Sequence, residues 1–457
     1  MARGDEERGR GRVDRTVAPG RACAHRVLRR VFEGGAYAEK ALQTEAAGLD
    51  QRDRALAMRL ALGAIQRAGT SDHLIGLLAG RPPRRMDPQV LASLRLGLYE
   101  LCYLQGAPDY AVVADAVELA KAPGRRGHGL VNAVLRRAIR EGPEQLLGGL
   151  DDATAAGAAV KHSHPEWVAK LWWQALGAEQ ARALMAADNE PAEVALRVNT
   201  LLADPGELAG QLPVPVHGDP RIPEALVLEG PLDLHASPLW REGAVTAQSR
   251  GAMLVARSLD PRPGERVLDL CAAPGNKTTH LAALMQGDGQ LVAVEANSRR
   301  ARTLRETAAR MRASNVEVVH GDAREPLEAG LFDRVLVDPP CSGLGTLQAR
   351  ADLRWRVKPE SVEELRLDQF RILDCAARAL RPGGVLVYST CTISPIENER
   401  LIVDFLDSHP DFAVDDLTMQ RPELAPIAAT PGLTGAITTF PHRDGTAGFF
   451  IARLARR

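Results

Sequence analysis

The sequence predicts three successive parts: a helical bundle, a small α+β connecting module, and a doubly wound α/β domain with a mostly parallel sheet. Up to about residue 140, apolar side chains recur at helical spacing, as at Leu91, Leu94 and Leu98. From about Val245 onward, short β-rich apolar runs alternate with helical segments. That alternation is the pattern of parallel strands joined by right-handed crossovers.

Composition supports several ordinary cores and excludes some classes of protein. The chain has 457 residues, of which 45% are hydrophobic and 25% charged, and its formal net charge is -1. No run approaches the roughly 18 apolar residues of a spanning helix, so we expect no membrane association. The arginine-rich start contains no apolar segment and does not read as a secretory signal. Near-neutral charge confines any nucleic-acid surface to local patches.

The six cysteines lie far apart in the sequence and form no CxxC pair. This spacing argues against a disulfide framework and against a zinc site, so we expect no bound metal. It fits a protein of the reducing cytoplasm. The sequence does not define the oligomeric state.

Punctuation by glycine and proline suggests the domain limits. We expect a disordered arginine-rich tail at residues 1–17, the helical domain at 18–145, the connecting module at 160–244 and the α/β domain at 245–457. Loops are predicted at Pro82–Pro83, Gly106–Pro108 and Pro123–Gly124. A glycine- and alanine-rich linker is predicted from Gly142 to Val160, and a helix near His164–Trp167.

Five strands are predicted for the α/β domain, at residues 266–270, 291–295, 316–319, 334–338 and 384–388. A final run at 448–454 is predicted as a late edge strand. In a doubly wound sheet, ligands bind beyond the carboxyl ends of the strands, so the residues that follow each strand are the candidates for a site.

The first three strand ends suggest a nucleoside. Residues Asp269 to Lys277 read DLCAAPGNK, a tight turn that enters a helix and has too few glycines for a dinucleotide loop. Glu295 ends the second strand and is suited to ribose hydroxyls, while Asp322 after the third is suited to an adenine amine. Together they predict an adenosine-containing ligand without a diphosphate. The alternative is that each is an ordinary polar loop residue.

The fourth and fifth strands carry thiols. Asp338-Pro-Pro-Cys341 follows the fourth strand, and Cys391 follows the fifth. If these strands are neighbours, both thiols and Asp338 face one pocket. Cys341 and Cys391 have polar and small neighbours, which favours a chemical role over packing. For Cys23, Cys102 and Cys375, in helices, and for Cys271, in the first loop, we expect packing.

Two thiols and a carboxylate beside a nucleoside-type cofactor suit methylation of cytosine at carbon 5. That carbon is a weak nucleophile until a thiolate adds at carbon 6 and makes it enamine-like. A protonated carboxylic acid against the ring nitrogen would help to neutralise the developing charge, and a base must afterwards remove the carbon 5 proton.

Three motifs together resemble the RsmB/Sun (Sun/NOP-type) family of RNA cytosine-5 methyltransferases: the loop 269–277, the sequence DPPCSGLG at 338–345 and the sequence STCTISPIENE at 389–399. The resemblance implies a Rossmann-like methyltransferase domain that binds S-adenosylmethionine. It implies that Cys391 is the nucleophile and that Cys341 assists release of the methylated RNA. The implied cofactor residues are Cys271, Ala272, Ala273, Pro274, Gly275, Asn276, Lys277, Glu295, Asp322 and Asp338.

The resemblance extends along nearly the whole chain. Residues 111–137 resemble the RNA-binding helical domain shared with the antitermination factor NusB, and the segments 164–167 and 197–200 resemble the connecting region of family members that modify small-subunit ribosomal RNA. The implied partner is therefore RNA, with 16S ribosomal RNA favoured. The chain departs from the family pattern at three places. Asn276 replaces a second glycine, Glu295 replaces an aspartate, and residues 247–250 lack a Gln-Asp pair.

Three basic clusters are candidate phosphate contacts, and solvated helix faces are the equally weighted alternative. They are Arg81, Arg84 and Arg85; Lys121, Arg125, Arg126, Arg136, Arg137 and Arg140; and Arg350, Arg354, Arg356 and Lys358 around Trp355. Aromatic residues make up only 4% of the chain, which argues against a stacking sheet and requires an unpaired or flipped target base.

Two other functions remain open. An amino-directed nucleic-acid methyltransferase would carry an aromatic residue where Cys341 stands and would need no thiol. A non-catalytic ribosome-assembly or antitermination factor would need neither the thiols nor the cofactor loop.

Overall fold

A computed structural model describes residues 17–121, 127–326, 330–424, 427 and 432–457. Two compact units divide these residues, one ending at Asp151 and the other beginning at Asp152. Residues 1–16 of the predicted tail, the predicted loop at Pro123–Gly124, and the cluster members Arg125 and Arg126 lie outside the described residues.

The described residues of the first unit form helices and no strands. The helices are α1 (Pro19–Phe32), α2 (Ala38–Glu45), α3 (Gln51–Gln66), α4 (Ala68–Ala79), α5 (Pro88–Tyr103), α6 (Asp109–Leu119), α7 (His128–Glu141) and α8 (Pro143–Gly148). One core brings together α4, α5, α6 and α7 through Leu74, Leu94, Val113 and Leu135. Gly97 permits this packing, because a Cβ there would lie 2.7 Å from Leu135 Cδ1. The predicted helical bundle is confirmed.

The second unit contains both sheets. Its elements are α9 (Ala155–Lys161), α10 (Glu166–Leu176), α11 (Ala178–Ala187), β1 (Ala195–Val198), α12 (Pro205–Ala209), β2 (Val216–Asp219), β3 (Ile222–Leu228), α13 (Pro238–Arg241), β4 (Val245–Ala247), α14 (Arg250–Leu259), β5 (Arg266–Leu270), α15 (Asn276–Leu284), β6 (Gln290–Glu295), α16 (Ser298–Arg310), β7 (Val316–His320), β8 (Phe332–Val337), α17 (Leu353–Arg356), α18 (Pro359–Ala379), β9 (Leu380–Thr390), α19 (Glu399–Ser408), β10 (Phe412–Val414), α20 (Leu417–Gln420), β11 (Ile437–Thr438), α21 (Pro441–Asp444) and β12 (Phe450–Arg456).

The division between the two units falls inside the predicted linker at residues 142–160, but this segment contains the helices α8 and α9, which we did not predict. Alanine is the strongest helix former, so an alanine-rich stretch forms a helix when it has a face to bury. Ala158 and Ala159 are buried against Val168 and Trp172 of α10. The Thr154 side chain caps α9 by accepting a hydrogen bond from the amide of Gly157 at 3.1 Å.

The connecting module forms an antiparallel four-stranded sheet in the order β2-β3-β1-β4. Its inner face is apolar, with Leu196, Val198, Leu226 and Val245 among its buried residues. The predicted α+β module is therefore observed. Strand β4 begins where we placed the start of the α/β domain, yet it pairs with β1.

The second sheet runs in the order β10-β12-β9-β8-β5-β6-β7, with β11 paired to β12. Strands β7, β6, β5, β8 and β9 are parallel neighbours, while β12 and β10 are antiparallel. Helices cover both faces: α14 and α15 on one, and α18 and α19 on the other. The doubly wound prediction is confirmed. The prediction of an edge strand at 448–454 was wrong, because β12 lies between β9 and β10, and its continuous burial fits an interior strand.

None of the helices in the described part of the chain is both long enough and apolar enough to cross a membrane. The same residues contain no group of three or more His, Cys, Asp or Glu side chains placed to hold a metal ion.

Candidate active site

Neighbouring strands bring the two cysteines together. Strands β8 and β9 are parallel partners, with Val337 opposite Tyr388, so their carboxyl ends meet at one edge of the sheet. The sulfur atoms of Cys341 and Cys391 lie 3.3 Å apart, and both residues are free thiols. The adjacency on which the expectation of a shared pocket depended is therefore observed.

The two cysteines have different electrostatic surroundings, which shift their pKa values in opposite directions. The hydrogen bond from Cys341 lowers the pKa of Cys391, and Lys277 and Arg350 lower it further, while burial opposes them. The same hydrogen bond, with burial and the nearby Glu397, raises the pKa of Cys341 well above its usual value. The pair is therefore polarised toward a Cys391 thiolate that accepts a hydrogen bond from the Cys341 thiol.

Asp338 forms the third member of the site. One of its oxygens accepts a hydrogen bond from Lys277 Nζ at 2.6 Å, and the other accepts one from Ser389 Oγ at 3.2 Å. Asp338 is therefore held by an ion pair with Lys277 and a hydrogen bond from Ser389. The site thus contains a carboxylate with an adjacent proton donor.

A buried polar network joins the two cysteine loops. Ser342, next to Cys341, shares a 2.6 Å hydrogen bond with Thr392, next to Cys391. Glu397 accepts hydrogen bonds from both the amide and the hydroxyl of Ser342, at 2.8 and 2.5 Å. We predicted no role for Ser342, Thr392 or Glu397, although they lie in the motifs that carry the family resemblance, because a contact between positions 342 and 397 leaves no local pattern in the sequence.

Glycines bring the same loops into close contact. The amide of Gly345 donates to the carbonyl of Cys391 at 3.0 Å, and the amide of Gly448 donates to the carbonyl of Gly345 at 2.7 Å. A Cβ on Gly345 would lie 2.1 Å from the oxygen of Gly448. A side chain at position 345 would therefore push the loop that carries Cys341 away from the backbone at Gly448.

The loop after β5 is tightly folded. Cys271 has a φ of 64°, a left-handed conformation that is strained for a residue with a side chain, and Gly275 has a φ of 108°. Burial raises the pKa of the Cys271 thiol to about 12, so it is a neutral packing group, as predicted. Burial also raises the pKa of Asp269 to about 7, while its Oδ2 accepts a 2.7 Å hydrogen bond from Thr278.

A cavity of about 440 Å³ lies beside this loop and is lined by residues predicted to bind a nucleoside. A cavity of about 630 Å³ elsewhere in the second unit is larger but is not lined by them. Among the residues that line the smaller cavity are Cys271, Glu295 and Asp322, with Leu365 and Ile372 forming an apolar wall. Two carboxylates at adjacent strand ends beside an apolar wall fit the ribose and base of adenosine. Ala272–Lys277 and Asp338 do not line this cavity.

The connecting module holds the loop after β5 through side chains that we did not predict. Arg197 of β1 is fully buried and donates to Gln248 Oε1 and to Thr279 Oγ1, both at 2.8 Å. Asn276 donates from Nδ2 to the carbonyl of Ala247 at 3.1 Å. The asparagine that departs from the family pattern thus ties the loop to β4, and Gln248 has a structural role where we had assigned none.

The interpretation of Arg354 as a phosphate contact was wrong. Its side chain is fully buried and donates to the carbonyls of Ser163 and Asp188, at 3.0 and 3.1 Å. Arg350 and Lys358 of the same cluster are exposed. The packing prediction for Cys375 also fails, because this half-buried thiol lies outside the core clusters and donates to the carbonyl of Arg324 at 3.1 Å.

The other two clusters lie on the first unit. Arg81, Arg84 and Arg85 are exposed. In the second cluster Lys121 pairs with Glu118, and Arg137 pairs with Glu141. Arg136 and Arg140 are exposed as well.

Comparisons with known proteins cover the chain in three consecutive parts. A family model described as 16S rRNA methyltransferase RsmB/F matches residues 256–455. The NusB family model matches residues 19–140, and a model of the ferredoxin-like domain of RsmF/B-like methyltransferases matches residues 164–235.

Similar proteins span nearly the same length. The probable ribosomal RNA small subunit methyltransferase B of Bacillus subtilis (strain 168) is 35% identical over 419 residues, which cover 90% of this chain and 92% of that protein. The ribosomal RNA small subunit methyltransferase B of Vibrio cholerae is 33% identical, covering 96% and 97%. The solved structure of PH0851 is 27% identical with a TM-score of 0.78, covering 96% of this chain and 99% of that one.

Proposed function

Because the chain belongs to the RsmB/F family of 16S rRNA methyltransferases, we propose that it methylates carbon 5 of a cytosine in 16S ribosomal RNA, with S-adenosylmethionine as donor. The observation that carries the proposal is the polarised pair of thiols, 3.3 Å apart, beside the Asp338–Lys277 ion pair. We also propose a cytoplasmic reaction, since that compartment contains ribosomal RNA and keeps cysteines reduced.

Cys391 is the nucleophile in this proposal. Its sulfur bonds to carbon 6 of the cytosine, the electron pair of the carbon 5–carbon 6 double bond moves between carbon 5 and carbon 4, and the carbon 4–nitrogen pair moves to the ring nitrogen. The resulting enamine has a nucleophilic carbon 5. A free thiol is only a few per cent thiolate at neutral pH. The lowered pKa of Cys391, caused by the Cys341 hydrogen bond and the charges of Lys277 and Arg350, supports this choice of sulfur.

Asp338 faces the ring nitrogen, and Lys277 is its proton source. The negative charge that develops on the ring is neutralised when a proton reaches that nitrogen. We expected a protonated carboxylic acid here. The 2.6 Å contact to Lys277 Nζ instead supports a carboxylate that relays a proton from the ammonium, and Ser389 fixes its orientation.

The residues that would hold the cofactor fit its adenosine portion. Glu295 would bind the ribose hydroxyls, and Asp322 the adenine amine, as the acidic ends of β6 and β7. Arg324 forms an ion pair with Asp322 at 2.7 Å. When adenosine is bound, this arginine would share the carboxylate with the adenine amine or move away from it. When bound, S-adenosylmethionine supplies the methyl group that carbon 5 accepts.

Release requires a base. After methylation a base takes the proton from carbon 5, the double bond re-forms with the electrons of that C–H bond, and the bond between carbon 6 and Cys391 breaks to return the thiolate. Cys341 assists this step in our proposal, because its thiol lies 3.3 Å from the Cys391 sulfur and can donate a hydrogen bond to the thiolate that leaves.

RNA binding would use exposed cations. Arg350 follows the first cysteine loop, is exposed, and is close enough to lower the pKa of Cys391. A phosphate beside the target nucleotide would therefore meet a positive charge at the site. Only an unpaired or flipped base reaches sulfur atoms that lie at the end of a sheet.

Nucleoside mass spectrometry of small-subunit ribosomal RNA from cells without the protein tests the proposal. We expect one 5-methylcytidine to disappear, and bisulfite mapping would identify its position. Loss of a methyl group from an exocyclic amine instead would indicate an amino-directed enzyme. Unchanged methylation, with defective ribosome assembly, would indicate a non-catalytic factor.

A further inference from the structure

Glu397 is a fully buried side chain whose carboxyl group accepts a hydrogen bond from Ser342, in the loop that carries Cys341. We propose that Glu397 is a positioning residue that keeps Cys341 in its thiol form and so confines the negative charge of the pair to Cys391. This inference rests on the proposed function for its purpose, since it explains how two adjacent cysteines take different roles. It assigns Glu397 to the reaction without contact to the substrate.

The contacts place Glu397 against the residue next to Cys341. Its Oε1 accepts from the Ser342 amide at 2.8 Å and from Gln369 Nε2 at 3.0 Å, and its Oε2 accepts from the Ser342 hydroxyl at 2.5 Å. The amide groups among these can only donate, so the site is built for an acceptor. Tyr388 fixes the backbone of Glu397 by donating from its hydroxyl to the Glu397 carbonyl at 2.8 Å.

A second contact holds the loop itself. Gln369 Nε2 also donates to the carbonyl of Pro340 at 2.9 Å, so one side chain spans Glu397 and the residue before Cys341. Gln369 is fully buried in α18. The Glu397 carboxylate is thus bonded directly to Ser342, and through Gln369 to Pro340, which are the two neighbours of Cys341 in the chain.

The two sulfur atoms have different charged groups near them. Cys341 faces the negative groups Glu397, Asp338 and Cys391. Cys391 faces Asp338 too, but also the cations Lys277 and Arg350. Burial raises the pKa of Glu397 above its usual value, and the donors Ser342 and Gln369 limit that rise. Glu397 is thus the charge that distinguishes the Cys341 side of the pair.

A purely structural role makes a different prediction. If Glu397 only supports the loops, the isosteric change Glu397→Gln disturbs both cysteines alike or lowers stability. If its charge acts on Cys341, the same change lowers the pKa of Cys341 selectively. Glu399→Gln is the matched control, because it removes a partly buried carboxylate from the same motif, and among the described residues this carboxylate forms no hydrogen bond with Ser342.

The experiment measures iodoacetamide alkylation of each cysteine in the full chain between pH 5 and pH 9, resolved by peptide mass spectrometry. In the native chain we expect Cys391 to react faster than Cys341 at neutral pH. Glu397→Gln should raise the Cys341 rate at pH 7 about tenfold, the change for one pKa unit, while Glu399→Gln leaves it unchanged.

Three results would overturn the inference. They are equal rates for both cysteines in the native chain, an unaltered Cys341 rate in a folded Glu397→Gln chain, or the same increase with Glu399→Gln. If Glu397→Gln fails to fold, Glu397→Asp replaces it: the retained charge should keep the Cys341 rate within about twofold of the native rate, and a tenfold rise in that folded variant would overturn the inference. The alkylation assay contains no RNA, so a failed proposed function with unequal cysteines remains distinguishable from failure of this inference.

Discussion

Two arginines four residues apart should respond oppositely to the same substitution. Arg354 donates to the oxygens of Ser163, Asn189, Asp188 and Leu347 at 3.0, 3.1, 3.1 and 3.4 Å and is fully buried. Arg354→Met removes these four donated bonds. At about 1 kcal/mol for each bond, the free energy of unfolding should fall by about 4 kcal/mol. At about 2 °C per kcal/mol, the Tm of the second unit should fall by about 8 °C.

Arg350→Met is the matched variant. Its side chain is exposed, so stability should change by about 0.5 kcal/mol or less. RNA affinity should fall, and the slope of log K against log salt should decrease by about 1, as expected for one lost phosphate contact. Calorimetry and filter binding over a salt series measure both quantities. A reduced salt slope with an unchanged Tm in Arg354→Met would refute the structural assignment of that residue.

The remaining predictions concern the cysteine loops. The positive charge of Lys277 lowers the pKa of Cys391, so Lys277→Met should move Cys391 alkylation to higher pH and slow it about tenfold at pH 7 for each pKa unit; an unshifted profile would remove that role. Gly345→Ala should cost about 1–3 kcal/mol of unfolding free energy and slow methyl transfer, because its Cβ would overlap the Gly448 carbonyl. Gly129→Ala is the control, because a Cβ at that position would have open space around it. Equal Tm values for the two variants would contradict the predicted overlap at Gly345. Cys341→Ala should accumulate a covalent RNA complex, and normal turnover would exclude its release role.

Periodicity and strand ends predicted the sheet and the two cysteine loops, because both are local properties of the sequence. The five parallel strands were recognised from apolar runs, and parallel neighbours necessarily bring their carboxyl ends together. The same reasoning failed for β12, since a strand's position in a sheet depends on pairing with distant residues. It failed for α9 because alanine and glycine together resemble a linker until Ala158 and Ala159 find a buried face.

The positioning residues of the site could not be predicted from one sequence. Glu397 reaches Ser342 across 55 positions, and Arg197 reaches Thr279 across 82, so neither contact produces a local pattern. Arg354 shows the converse error, because a cluster of basic residues in the sequence contained one side chain that the fold buries. A cluster of basic residues in a sequence therefore does not show that each of its side chains is exposed and able to contact a phosphate.

Covalent trapping tests the central claim most directly. RNA that carries 5-fluorocytosine at the target position cannot lose a carbon 5 proton, so the enzyme should remain bonded to it through denaturing electrophoresis. We predict that the native chain forms this adduct, that mass spectrometry assigns it to Cys391, and that Cys391→Ala abolishes both the adduct and methyl transfer. An adduct on Cys341, or methylation by Cys391→Ala, would contradict the account.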